Sequence, residues 1–274
     1  MSSDILNAVW VLAALGAVSA VLLIIASKYM RVPVDEKFPK IREKLPGANC
    51  GACGYAGCDG YAAALASGEE KAINRCVPGS DAVAKELSEL LGVAYVEVVD
   101  QVAVVRCRGD CNSTSARADY QGIESCAAAK LAFGGTGACI FGCMGFGDCV
   151  KVCPEHAIVL RDGLARINSA ACVGCGMCVK TCPNSVIMLM ADVNKVVVTC
   201  RNRDKGALTH KECSKGCIAC RKCERECPAS AITVKDNLAV IDYEKCTGCG
   251  HCAQVCPVGA ILCRDFTGAH KGQK

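Results

Sequence analysis

Nine cysteines of this chain reappear after a shift of 74 residues: Cys126, Cys139, Cys143, Cys149, Cys153, Cys172, Cys175, Cys178 and Cys182 map onto Cys200, Cys213, Cys217, Cys223, Cys227, Cys246, Cys249, Cys252 and Cys256. Glycines, prolines and isoleucines move with them, among them Gly142 to Gly216, Pro154 to Pro228, Ile158 to Ile232 and Gly174 to Gly248. A period this regular makes the segment a tandem repeat of one structural unit. The chain holds 26 cysteines but only 4% aromatic residues, too few large apolar side chains for ordinary domain interiors. The domains must be held together through sulfur.

In the second copy, Cys217, Cys220, Cys223 and Cys227-Pro228, then Cys246, Cys249, Cys252 and Cys256-Pro257, spell C-x2-C-x2-C-x3-C-P twice. This is the ligand pattern of a two-cluster bacterial ferredoxin, where the fourth cysteine of each run crosses to the other cluster. Three thiolates at i, i+3 and i+6 let one tight loop wrap three corners of an iron-sulfur cube. The pattern assigns Cys217, Cys220, Cys223 and Cys256 to one [4Fe-4S] cluster, and Cys227, Cys246, Cys249 and Cys252 to its partner. In the first copy Phe146 stands where Cys220 would, so one ligand is gone, and Cys139, four residues ahead of Cys143, is the natural replacement. This gives Cys139, Cys143, Cys149 and Cys182 for one cluster and Cys153, Cys172, Cys175 and Cys178 for the other. A disulfide scaffold is the competing reading, but it belongs to small secreted proteins, and nothing here reads as secreted.

Upstream, GANCGACGYAGC supplies Cys50, Cys53 and Cys58, with Cys76 further on. Four thiolates separated by small residues can surround a metal, and Gly47, Gly51, Gly54 and Gly57 allow backbone close to inorganic sulfide. Zinc ribbons also carry C-x2-C followed by two more cysteines; the glycine density and the neighbouring ferredoxin motifs favour [4Fe-4S]. Between Cys58 and Cys76 an alanine-rich stretch predicts a short helix. Ser80 to Leu91 predicts an amphipathic one, capped by Ser80 or Asp81 and ended by Gly92, and Val93 to Val105 is strand-like.

These sets make five clusters. The remaining cysteines are Cys107, Cys111, Cys126, Cys200, Cys213 and Cys263. Either a sixth cluster draws on Cys107, Cys111, Cys126 and Cys200 or Cys213, without compact spacing to support it, or these are buried thiols packing as small apolar groups. Cys263 is expected to be unligated. Cys213, Cys217 and Cys220 also spell C-x3-C-x2-C, the signature of radical-SAM enzymes, but the barrel that chemistry needs does not follow. Gly134, Gly135 and Gly137 lack G-x-G-x-x-G spacing, so no nucleotide is expected to bind this chain. The four histidines, His156, His210, His251 and His270, stand beside no recognisable nucleophile, and no catalytic residue is expected.

At the other end, Ile5 to Ser27 carries no charged side chain, and about 23 residues at 1.5 Å each span roughly 35 Å, enough to cross a bilayer. A secretory signal would need a basic n-region and a shorter apolar run. Lys28, Arg31, Lys37, Lys40, Arg42 and Lys44 follow, which places the cysteine-rich part on the cytoplasmic side of the cell (inner) membrane, behind a single-pass anchor. Thiols stay reduced there. The formal charge of +4 treats every cysteine as neutral; five cubanes at about −2 each would carry the chain to about −6. No basic stripe suggests nucleic acid.

An N-terminal membrane helix, then CGACGYAGC with its late fourth cysteine, then ferredoxin modules resembles the B subunit of the Rnf complex, the ion-pumping ferredoxin:NAD+ oxidoreductase of bacteria and some archaea. The match covers nearly the whole chain, which departs from many family members by carrying two ferredoxin-like copies. The resemblance implies that the first module is similar to the four-cysteine domain of corrinoid iron-sulfur proteins. It further implies that soluble ferredoxin docks near the C-terminal modules and that the N-terminal cluster hands electrons to other membrane and peripheral subunits. Flavin and NAD chemistry and the ion path would then belong to those subunits.

The expected fold class is α+β: a transmembrane anchor at 1–28, a cytoplasmic linker at 29–46, a four-cysteine [4Fe-4S] domain at 47–92, a connecting region at 93–138, and tandem 2[4Fe-4S] ferredoxin-like modules at 139–192 and 193–274. The expected function is one-electron relay between soluble ferredoxin and an Rnf-type complex. A stand-alone membrane-tethered polyferredoxin serving another reductase is the alternative.

Overall fold

The computed structural model describes residues 2–29 and 36–264. The expectations attached to Arg31 and His270 lie outside the described residues.

Helix α1 (Ser2–Tyr29) has Trp10, Leu12, Leu23 and Ile24 about two-thirds or more exposed, and its segment Val9–Ser27 buries nothing against the protein. A helix that is apolar all round and uncovered is long enough to cross a bilayer.

Three further helices build the first globular unit: α2 (Lys37–Lys44), α3 (Cys58–Ser67) and α4 (Ser80–Leu91). They close around Ile41, Tyr61, Leu65 and Leu87, all buried, and the Tyr61 hydroxyl donates to the Ala72 carbonyl at 2.7 Å. Residues 29–46, expected as a linker, thus include a helix whose Ile41 is fully buried in this core. Gly92 ends α4 in the left-handed region at φ +65°. Neither Ser80 nor Asp81 caps the helix start. Ser80 Oγ donates to Asp100 at 2.6 Å, while Asp81 accepts from Tyr95 at 2.6 Å and from the Val98 N–H at 2.9 Å. These bonds tie the segment after α4 back onto the helix, so the expected strand over 93–105 shortens to β1 (Gln101–Val105).

The rest is short elements on cysteine-bearing loops: α5 (Cys126–Phe133), α6 (Asp148–Lys151), β2 (Ile158–Arg161), β3 (Leu164–Ile167), α7 (Met177–Thr181) and β4 (Ile187–Ala191). The second copy repeats most of them as β5 (Val196–Val198), α8 (Gly206–Glu212), α9 (Lys222–Arg225), β6 (Ile232–Lys235), β7 (Leu238–Ile241), α10 (His251–Gln254) and β8 (Ile261–Cys263). Hairpin β2–β3 turns on Asp162-Gly163 and β6–β7 on Asp236-Asn237, all four residues at positive φ, as a right-twisting two-residue turn requires. Each repeat closes on itself: β1 pairs antiparallel with β4, from Gln101 opposite Ala191 to Val105 opposite Ile187, and β5 pairs with β8, from Val196 opposite Cys263 to Val198 opposite Ile261. The connecting region therefore supplies a strand to the first module. Gly174, at φ +65°, lies where that strand meets the ligand loop; a Cβ there would overlap the Gln101 carbonyl oxygen and stand 3.0 Å from Val77 of the first unit. Its repeat partner Gly248 meets only Lys195, at 3.8 Å.

Candidate iron-sulfur sites

The cysteines converge in quartets. In the first unit Cys50, Cys53 and Cys58 surround Cys76, whose thiol burial pushes up to about 11, with the other three adding to the push. Cys153, Cys172, Cys175 and Cys178 line one small apolar cavity, and Cys217, Cys220, Cys223 and Cys256 another. Cys227, Cys246 and Cys249 gather around Cys252. These four sets are the ones that spacing predicts.

The first copy's other quartet differs from the expectation. The structure seats Cys126 with Cys143, Cys149 and Cys182 around a third such cavity, and carries Cys139 to a different group, beside Cys200. The cause is a carboxylate. Asp148, next to Cys149, accepts from Ser125 Oγ at 2.8 Å and from the Ala127 N–H at 3.1 Å, so it pins the start of α5 and with it Cys126. Burial pushes the Asp148 carboxyl up, but its hydrogen bonds with Ala127, Ser125 and Cys126 outweigh that and hold it below the ordinary value. In the second copy the residue at this position is Lys222, which cannot accept, and Cys200, the partner of Cys126, goes elsewhere. The signal in the sequence was the pair of departures, Phe146 for Cys220 and Asp148 for Lys222, read together. We expect Asp148→Ala to cost about 1 to 2 kcal/mol as a lost helix cap and to drop iron content by a fraction of one cluster, measured as iron per chain; unchanged iron and stability would contradict the pinning role.

The residues fit iron-sulfur clusters. Backbone donors aim at the sulfurs in a repeated way: Ala157 N–H to Cys153 Sγ at 3.3 Å, Ala231 to Cys227 at 3.3 Å, Ala260 to Cys256 at 3.2 Å, and Ala103 of β1 to Cys172 at 3.4 Å. Such bonds stabilise thiolate sulfur and tune a cluster's potential. Burial pushes the thiols of Cys149, Cys178 and Cys223 up to about 12. Left alone they would stay protonated at neutral pH; iron displaces those protons.

The quartets also adjoin one another in series. Cys50 lies near enough to Cys175 to raise its thiol, and Lys180 Nζ donates to the Gly51 carbonyl at 3.3 Å across the same contact. Cys149 neighbours Cys178, and Cys252 neighbours Cys223. Between the two repeats four further cysteines, Cys107, Cys139, Cys200 and Cys213, line a common cavity. Cys111 and Cys263 are exposed and join no quartet; Cys263 Sγ faces the Gly250 carbonyl at 3.9 Å.

Comparison with known proteins agrees with this layout. A family model described as an Fe-S cluster matches residues 45–78, a 4Fe-4S dicluster domain matches 138–186 and again 216–260, and a second 4Fe-4S dicluster model spans 171–232. The B subunit of the Na(+)-translocating ferredoxin:NAD(+) oxidoreductase complex of Acetobacterium woodii is 40% identical over 90% of this chain and 74% of its own length. The B subunit of the ion-translocating oxidoreductase complex of Methanosarcina acetivorans is 42% identical over 90% and 93%. The B subunit of the proton-translocating ferredoxin:NAD(+) oxidoreductase complex of Clostridium ljungdahlii is 43% identical over 86% and 84%. At 40–43% identity over most of its length, this chain belongs to the family of Rnf B subunits, the iron-sulfur electron-transfer component of an ion-translocating ferredoxin:NAD(+) oxidoreductase.

Proposed function

We propose that the chain is a membrane-tethered relay between soluble ferredoxin and the other Rnf subunits, with at least five [4Fe-4S] sites. Their ligands are Cys50, Cys53, Cys58 and Cys76; Cys153, Cys172, Cys175 and Cys178; Cys126, Cys143, Cys149 and Cys182; Cys217, Cys220, Cys223 and Cys256; and Cys227, Cys246, Cys249 and Cys252. When bound, these groups supply one-electron transfer and nothing else. The chain's own residues hold them, keep water away through apolar linings such as Ile158, Ile187 and Ile261, and aim N–H groups at their sulfurs.

The observation that carries the reading is the adjacency of quartets in two runs: the Cys50 quartet beside that of Cys175 and that one beside the quartet of Cys149, and, in the second repeat, the Cys223 quartet beside that of Cys252. At the far end Cys249 is exposed, which suits docking of a soluble ferredoxin. At the near end the Cys50 quartet follows α1 most closely in sequence, which suits delivery to membrane subunits. The cations from Lys28, in the last turn of α1, to Lys44 favour a single pass with the cysteine-rich part in the cytoplasm.

The test is anaerobic titration of the full chain in detergent with reduced soluble ferredoxin, followed by absorbance and electron paramagnetic resonance. Uptake of about one electron per site, on about 20 or more irons per chain, is expected. Spectra that stay unchanged with both ferredoxin and dithionite would mean a structural metal protein; reduction by dithionite alone would remove ferredoxin as the partner.

A further inference from the structure

Where the two modules meet, the structure forms a polar cavity roomier than those of the quartets, and arginines line it. Arg108 comes from the connecting region, Arg166 from β3 of the first module, and Arg264 follows β8 of the second. Three stretches far apart in sequence thus bring three guanidiniums to one place. The repeated fold does not demand them: under the 74-residue shift Arg166 corresponds to Val240 and Arg264 to Met190, so the matching segments β7 and β4 carry apolar residues at these positions.

Their charges are not cancelled. Among the described residues Asp110 is the one carboxylate lining the cavity. It stands 3.9 Å from Arg166 Nη2, and it is already engaged by the Ser113 side chain and by the Asn112 N–H at 3.2 Å. Among the described residues neither Arg108 nor Arg264 forms an ion pair. Burial lowers the Arg264 guanidinium from its ordinary value, and like charge from Arg108 and Arg166 lowers it further. Three guanidiniums against one carboxylate leave two positive charges unmatched. Two of the arginines are held ready: Arg108 Nη1 donates to the Gly259 carbonyl at 2.6 Å, and Asp110 steadies Arg166. The Arg264 backbone N–H donates to the Lys195 carbonyl at 2.7 Å, which continues the β5–β8 pairing and fixes where its side chain starts.

We propose that Arg108, Arg166 and Arg264 form a binding site for a phosphate group, free or carried by a small molecule, at the junction of the two ferredoxin-like modules. A phosphate group carries about −1.5 to −2 near pH 7, which matches the surplus, whereas a single carboxylate would leave one positive charge over. Guanidinium forks fit phosphate oxygens two bonds at a time. The Ser169 hydroxyl lines the same cavity and can donate as well. A phosphate held there touches the connecting region, the first module and the second at once, and so fastens them together. No bond forms or breaks and no electron is passed, so the proposal stands independently of the relay reading.

Calorimetric titration of inorganic phosphate into the anaerobic full-length protein in detergent, with chloride at matched ionic strength as the control, tests the site. We expect one saturable site per chain for phosphate and none for chloride. Arg264→Gln should weaken the affinity at least about tenfold, as the loss of a charge-assisted contact implies. Glycerol 3-phosphate separates the two sources: binding as tight as that of phosphate shows that a phosphoryl group on a small molecule is accepted, and binding of phosphate alone shows a site for the free ion. Binding of neither, or equal heats in phosphate and chloride, would overturn the proposal. Thermal unfolding separates ligand binding from mere packing. At low salt without phosphate, Arg264→Gln should melt no lower than wild type, because it removes one of three like charges; in saturating phosphate the wild type should melt higher. A variant that melts lower by the same margin under both conditions would overturn the site. Iron per chain shows whether the variant has folded, and should Arg264→Gln lose iron, Arg166→Gln takes its place with the same expectations.

Discussion

Stripping iron and sulfide from this protein should unfold residues 37–263 together, leaving α1 as the last helix in detergent. The reason lies in how little else holds the modules. Their sheets are four separate two-stranded ribbons, each marginal alone. Helices α6, α7, α9 and α10 run only four or five residues, far below the length at which a helix persists by itself. The buried clusters of apolar residues contain the ligands: Cys149, Cys172 and Cys178 sit in the first module's core, and Cys200, Cys217, Cys223 and Cys252 in the second. A structural metal site contributes on the order of 10 kcal/mol to folding, against a total stability of about 5 to 15 kcal/mol for a typical domain. Losing even one should melt its module. Hydrogen exchange on chelator-treated, anaerobic protein is the measurement: global loss of amide protection outside α1 is expected, and native-like protection in the apoprotein would show that the apolar cores suffice. Helix α1 persists because its backbone hydrogen bonds are internal and its surroundings are apolar.

Deleting residues 2–29 should move the chain from the membrane fraction to the soluble fraction almost completely while leaving its iron content unchanged. Val9–Ser27 is 19 residues, about 28 Å at 1.5 Å per residue against a hydrocarbon layer of about 30 Å. Each Leu, Ile or Val at the centre of a membrane span contributes roughly 0.3 to 0.6 kcal/mol, and the helix carries enough of them, Leu12, Leu15, Leu22, Leu23, Ile24 and Ile25 included, for several kcal/mol. None of its residues enters the described cores, and the first cysteine is Cys50. Fractionation of cells expressing the two forms, with iron assayed on each, makes the comparison. A truncated chain that still pelleted with membranes would show that other surfaces or subunits hold it there.

Local spacing explains what could be read from the residues alone. Ligands three apart on one loop, such as Cys246, Cys249 and Cys252, are fixed by chain geometry, and the cysteine before a proline is fixed by the repeat. The long apolar helix α1 follows from its uncharged run, and α3 and α4 follow from composition, periodicity and glycine stops. What could not be read depends on contacts between distant segments. Cys139 stands near Cys143 in sequence, yet Asp148 draws Cys126 in from 17 positions ahead of Cys143. Cys107, Cys139, Cys200 and Cys213 share no motif because they come from three stretches brought together by pairing of β1 with β4 and β5 with β8. The helix α2 was hidden by the prolines around it: Pro39 falls in its first turn, where a missing N–H costs nothing.

The way each repeat shuts also bears on how proteins of this kind can change length. Strand β4 ends at Ala191 and β5 begins at Val196, and each module's opening and closing strands lie side by side. The entrance and exit of a unit are therefore neighbours, so a whole unit can be spliced in or cut out at residues 192–195 without its flanks having to travel. Growth by duplication then extends the chain of cysteine quartets in whole increments, and the count of modules, rather than the reshaping of any one, sets its length.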